Sequence, residues 1–104
     1  MSLGATAEII NMSIKVISYD LGGPETSTSY RTLSDAIRQI GDYIKPLESF
    51  FLLATSLPCD TVRDKLTAQL DSNDKLIVIE ADKCFASWQG VDSNTYNWIM
   101  GHRQ

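Results

Sequence analysis

Histidine and cysteine are scarce in this chain of 104 residues, one of the first and two of the second, and that removes several chemistries at once. A structural zinc centre needs four clustered Cys and His ligands. Cys59 and Cys84 lie far apart, there is no CxxC, and His102 stands near the C-terminus, where it reads as a solvated tail residue. With that histidine as the sole imidazole, a Ser-His-Asp hydrolase has no general base. Two cysteines are too few for a disulfide scaffold and read as free thiols of a reducing cytoplasm. Gly22-Gly23 is followed by neither GxGxxG nor GK[ST], so no phosphate loop is encoded. The longest apolar runs, Phe50 to Ala54 and Leu76 to Ile79, are far below the roughly 20 residues of a membrane helix. The stretch around Ile9 and Ile10 lacks the basic flank and the h-region of a signal peptide. Positive charge is in the minority, nine Lys and Arg against thirteen Asp and Glu, for a net charge of −4. That balance weighs against constitutive tight binding to a phosphate backbone.

What the chain does have is an ordinary globular composition, 43% hydrophobic and 21% charged, at a length suited to one domain. Met1-Ser2-Leu3-Gly4 reads as an expression leader or loose tail, and Met12 as a natural start. Residues 1–12 are therefore set aside, and 13–104 are expected to form the domain. Residues 14–21 are β-branched and aromatic and end at Gly22-Gly23-Pro24, a strand followed by a breaker. After the polar stretch Glu25 to Ser29, a helix runs to about Ile40, with Tyr30, Leu33, Ile37 and Ile40 as one apolar stripe. Arg31, Asp35 and Arg38 fall off the stripe. Gly41 is expected to close that helix in a left-handed conformation. An edge strand near 43–46, interrupted by Pro46, leads into a stronger strand at 48–55. Pro58 opens a second helix to about Leu70, with Val62, Leu66 and Leu70 in line. Asp71-Ser72-Asn73-Asp74 is a turn cluster, and Lys75 to Ala81 is a further strand. Residues 84–89 suggest one more short strand, and Tyr96, Ile99 and Met100 a terminal helical turn from about Ser93.

Strand, helix, strand, strand, helix, strand is the split βαβ order of the ferredoxin-like α+β fold, a four-stranded antiparallel sheet with two helices on one face. Such a sheet should alternate apolar and polar residues if its second face meets water. The runs Phe50-Phe51-Leu52-Leu53-Ala54 and Leu76-Ile77-Val78-Ile79, with Val16-Ile17, do not alternate, so both faces carry apolar area. Each large side chain on the second face is worth roughly 1.5–3 kcal/mol when buried. A second copy is the expected main cover, giving a homodimer. The alternative is that the C-terminal segment with Trp88 and Trp98 folds back over it.

Val16-Ile17-Ser18-Tyr19-Asp20-Leu21, followed by a helix and a Gly, resembles the opening of the small CRISPR-associated endoribonucleases, the Cas-two family. Leu47 to Thr55 is similar to that family's second and third strands, and Asp71 to Glu80 to its turn and fourth strand. Stand-alone relatives labelled SinR family and, more distantly, VapD-type ribonucleases share the plan. The resemblance covers roughly residues 13–90 by order of elements. It implies a dimer with Asp20 near the two-fold axis, and a C-terminal strand near 84–89 that crosses to the partner. The family's Arg-rich strand after the first helix is not matched. Tyr43, Ile44 and Lys45 stand there, and Lys45 is the cation of that segment placed to meet a nucleic acid.

Two copies of Asp20 across an axis could hold one hard cation, Mg²⁺ above all, through oxygen ligands and water. The metal would acidify a bound water and stabilise charge on a phosphoryl group. Tyr19 and Ser18 would shape this catalytic site, and Arg31 and Arg38, seven residues apart and near one helix face, would steer RNA or DNA phosphates. Each has a plainer reading. Asp20 caps the Gly22-Gly23 turn, Tyr19 packs, and the arginines solvate a helix. Two functions stay open: a Mg²⁺-dependent nuclease, or a non-catalytic dimeric scaffold that binds another protein within a defence or toxin–antitoxin system. The expected location is cytoplasmic, with no membrane partner.

Overall fold

The computed structural model describes residues 12–21, 27–81, 90 and 92–102. Four strands, β1 (Ser13–Asp20), β2 (Asp42–Leu47), β3 (Phe50–Thr55) and β4 (Lys75–Glu80), alternate with α1 (Ser27–Ile40) and α2 (Cys59–Thr67), and α3 (Ser93–His102) closes the chain. The sheet order is β2-β3-β1-β4, every neighbouring pair antiparallel. This is the ferredoxin-like arrangement expected from the order of elements. The strand expected at 84–89 lies outside the described residues, as does the Gly22-Gly23 turn.

Register explains how the apolar runs divide. Rows across the sheet join Ile17 to Phe51 and Val78, and Tyr19 to Leu76, on the side of the helices. There Ile17, Leu33, Ile37, Phe51, Leu53, Val62 and Leu66 are completely enclosed. The ring of Tyr19 lies 5.7 Å from Phe51 and meets Tyr30 edge-on at 6.1 Å. Half-buried Tyr30, Ile40 and Leu70 extend this core, so the helical stripes read from spacing face it as expected.

Gly41 corrects one expectation. It is not left-handed; among the described residues, Gly90 is the glycine with positive φ. Its small size is used differently. A Cβ on Gly41 would stand 2.2 Å from the carbonyl oxygen of Ala54. The chain leaves α1 and pairs with β3 at once, and only a glycine lets the two backbones come that close. Its N–H still closes the helix by donating to Ile37 O at 3.3 Å.

Pro46 sits where the register of β2 slips by one residue, between Ile44↔Leu52 and Leu47↔Phe50. A bulge on an edge strand is where a residue without an N–H does least harm. The hairpin then turns through Glu48 and Ser49, the latter at φ 58. The second helix is shorter than its apolar spacing suggests. It ends at Thr67, and Gln69 and Leu70 donate to Leu66 and Thr67 in a tightened last turn. The terminal turn is in contrast a full ten-residue helix. Asp92 caps it, its Oδ1 accepting the Thr95 N–H at 3.0 Å.

Candidate functional site

The sheet face turned away from α1 and α2 is ordered in rows. The first holds Lys75 opposite Asp20, and the next Ile77, Ser18 and Phe50. Ile79, Val16, Leu52 and Ile44 form the third, and Ile14, Ala54 and Asp42 the last. Burial falls across this face from one corner to the other. Ile14, Leu52 and Ala54 are buried, yet Ile77 and Ile79 are 61% and 53% exposed. α3 packs against β2, and its His102 Nε2 lies 2.8 Å from Asp42 Oδ2. The terminal helix therefore lies at the β2 corner of the face, and no described element packs over Ile77 and Ile79 on the β4 side. Of the C-terminal segment, Trp98 lies in α3 at this corner, Trp88 lies outside the described residues, and Ile77 and Ile79 form an exposed apolar strip.

Asp20 and Ser18 are exposed and lie together on this face, two residues apart on β1, which separates their Cα atoms by about 7 Å. Lys75, on the adjacent strand, is the cross-strand neighbour of Asp20. Cβ atoms so paired stand about 5 Å apart, so Lys75 is a basic residue on the strand next to Asp20. Sequence spacing alone missed Lys75. The signal that finds it is the antiparallel β1–β4 pairing of the split βαβ plan, which brings the start of β4 against the end of β1.

The remaining candidates lie elsewhere. Tyr19 points to the opposite side and is buried in the core, 5% exposed; strand alternation separates it from its neighbour Asp20. Arg31 and Arg38 are exposed on α1, and Arg38 pairs with Asp35 at 2.9 Å. Lys45 reaches over the Phe51 ring at 5.9 Å, on the helix side of the sheet. One chain therefore brings Asp20 and Ser18 together and sets Arg31, Arg38 and Lys45 on the other side.

One carboxylate and one hydroxyl fall short of the six or so oxygens that a hard divalent cation takes. Among the described residues no group of three His, Cys, Asp or Glu converges on one point. Two copies facing each other would supply two carboxylates, with water to complete the shell. The chemistry of the donors thus fits Mg²⁺ only in an assembly.

At the far end of the sheet, Lys15 forms a polar cluster that composition and spacing do not announce. It occupies a core-side position of β1 and is 2% exposed. Its ammonium meets Glu80 Oε1 at 2.8 Å and Ser13 Oγ at 2.5 Å. Ser13 in turn donates to Glu80 Oε1 at 3.0 Å. The signal was a lone lysine at an apolar-parity position of the strand, and its partners hold the charge in place. Cys59 is a half-buried free thiol, and Cys84 lies outside the described residues.

Comparison with known proteins adds to the fold. No protein-family model matches the chain, and no curated protein resembles it significantly. Among solved structures, it is similar to the crystal structure of a hypothetical protein, TT1823, from Thermus thermophilus. The two share 15% identity with a TM-score of 0.57, over 78% of this chain and 95% of that one. A likeness at this identity establishes a shared fold and says nothing of activity. No described helix is long and apolar enough to cross a membrane.

Proposed function

We propose that this chain is a homodimeric, Cas-two-like protein whose shared site, built on Asp20 from each copy, assists cleavage of RNA or DNA phosphodiesters with Mg²⁺. The observation that carries the reading is the composition of the uncovered sheet face. Exposed Ile77 and Ile79 stand beside exposed Asp20 and Ser18. Burying the two isoleucines against a second copy would bring the aspartates of both chains toward one axis. Bound there, the cation would supply Lewis acidity toward a phosphoryl oxygen. The protein's own part is to position: Asp20 holds the cation, Ser18 orients water, and Lys75 offers a positive charge to the phosphate.

A second reading, a non-catalytic dimeric scaffold for another protein, is favoured by one observation. Arg31, Arg38 and Lys45 lie on the side of the sheet opposite Asp20, so no cationic track leads to that carboxylate from them. Labelled RNA and DNA incubated with the protein, with Mg²⁺ or EDTA, and in parallel with Asp20→Asn, separate the two. The nuclease reading expects cleavage that needs Mg²⁺ and falls by at least about a hundredfold in Asp20→Asn, the scale for losing a catalytic group. Equal cleavage by both proteins, or none by either, leaves the scaffold.

A further inference from the structure

The sheet ends in two edge strands, β2 and β4, and they are finished differently. β2 carries Pro46 and a register slip, and α3 packs against it. Such features keep a foreign strand from adding to an edge. β4 has neither a proline nor a slip. It pairs with β1 in one unbroken register, and between its charged ends, Lys75 and Glu80, stand Leu, Ile, Val and Ile.

One hydrogen bond fixes which backbone groups of β4 face outward. The Ala81 N–H donates to Ile14 O at 2.8 Å. Hydrogen-bonded and non-hydrogen-bonded positions alternate in an antiparallel pair. Ile79, Ile77 and Lys75 therefore also spend their N–H and C=O groups on Val16, Ser18 and Asp20. Those of Leu76 and Val78 turn away from β1, and among the described residues no strand lies on that side. The side chains of Leu76 and Val78 pack against the core, while Ile77 and Ile79 are exposed on the second face. The edge thus offers two donors and two acceptors in an apolar setting. These groups point sideways in the plane of the sheet, so a second copy lying on the face leaves them open.

A second β4 does not suit this edge. Antiparallel pairing of two copies about Val78 sets Glu80 opposite Leu76, and pairing about Leu76 sets Asp74 opposite Val78. Either register places a carboxylate against a half-buried apolar side chain. We propose that β4 takes up an extended segment of another protein as an added antiparallel strand, with apolar residues opposite Ile79 and Ile77 and an acidic one opposite Lys75. Backbone hydrogen bonds to Leu76 and Val78 supply affinity, and the three side chains beside Ile79, Ile77 and Lys75 supply selectivity. The proposal rests on the scaffold reading and names the kind of segment that the scaffold holds.

The probe is a pool of random dodecapeptides displayed on phage and selected on the full chain, with the enriched sequences then synthesised. Enriched peptides are expected to read apolar, any, apolar, any, acidic. Amide exchange followed by NMR should show Leu76 and Val78 slowed by at least about tenfold on binding, the scale of a hydrogen bond gained. Ile77 and Ile79, already paired with β1, should change little. Val78→Pro removes one outward N–H and spares the ladder to β1, so it should weaken binding by about tenfold on the same scale. A peptide N-methylated at the residue opposite Val78 should lose as much on the unaltered protein, so the result does not depend on how the variant folds. Enriched peptides that leave both amides unchanged overturn the proposal and spare the scaffold reading. No enrichment overturns both. Amides of Leu76 and Val78 that are slow without peptide and quicken on dilution assign the edge to a second copy, and the proposal falls.

Discussion

Replacing Glu80 by Gln should destabilise this protein more than replacing its partner Lys15 by Met. The two groups meet at 2.8 Å, but in different surroundings: the Lys15 side chain is 3% exposed and that of Glu80 46%. Removing one partner of a fully buried pair costs about 3–5 kcal/mol, because the other charge is left without compensation. Solvent reaches Glu80, screens the pair and partly replaces it, which brings the expected cost of Glu80→Gln to about 1–2 kcal/mol. Lys15→Met removes the costly buried charge and leaves a carboxylate that water can solvate. Its expected cost is below about 1 kcal/mol. Once Lys15 is gone, Glu80→Gln should add no more than about 0.5 kcal/mol. Urea denaturation at one fixed protein concentration measures all four proteins. With an m-value of about 1–1.5 kcal/mol/M, the midpoint of Glu80→Gln should fall by about 1 M. A Lys15→Met protein less stable than Glu80→Gln would refute the reasoning, as would additive losses in the double variant.

Gly41→Ala would force a methyl group to 2.2 Å from a backbone oxygen. A loss of at least about 2 kcal/mol in the same denaturation is expected, on the scale of overpacking a tight site. Ile77→Lys with Ile79→Lys should leave each chain folded, with an unchanged far-UV spectrum and a cooperative transition, since both side chains are exposed in the single chain. In sedimentation at micromolar concentration the wild type should run as a dimer and the double variant as a monomer. Asp92→Ala removes the cap of α3 and should cost about 1 kcal/mol of helix stability, seen as faster hydrogen exchange over residues 93–102.

The helices and strands were largely legible before the tertiary structure because their signals are local. An apolar stripe at Tyr30, Leu33, Ile37 and Ile40 commits a segment to a helix packed on one side, and β-branched runs bounded by Gly, Pro and Asp commit others to strands. Element ends were less so. The extension of α2 to Leu70 looked continuous by spacing, but a tightened turn ends it at Thr67. The helix end makes Gly41 stand out in the sequence, but its need for a small residue comes from a close approach to the backbone of β3, which depends on a strand that follows in space. Of the candidate site, Asp20 and Ser18 could be paired by alternation along one strand. Lys75 could not, since its nearness to Asp20 exists only through cross-strand register.

By itself, the order of amino acids determined the kinds of element, their sequence and hence the split βαβ plan. It also showed an excess of apolar residues over what one sheet face can hide. These properties follow from periodicity and composition, which are written in neighbours three or four positions apart. Tertiary structure decided which of the isoleucines stay in water and that a buried Lys15 finds Glu80. It also carried His102 from the end of the chain to Asp42. Each of these joins residues far apart in sequence, and only the pairing and packing of whole elements brings such groups within the few ångströms at which charges and hydrogen bonds act.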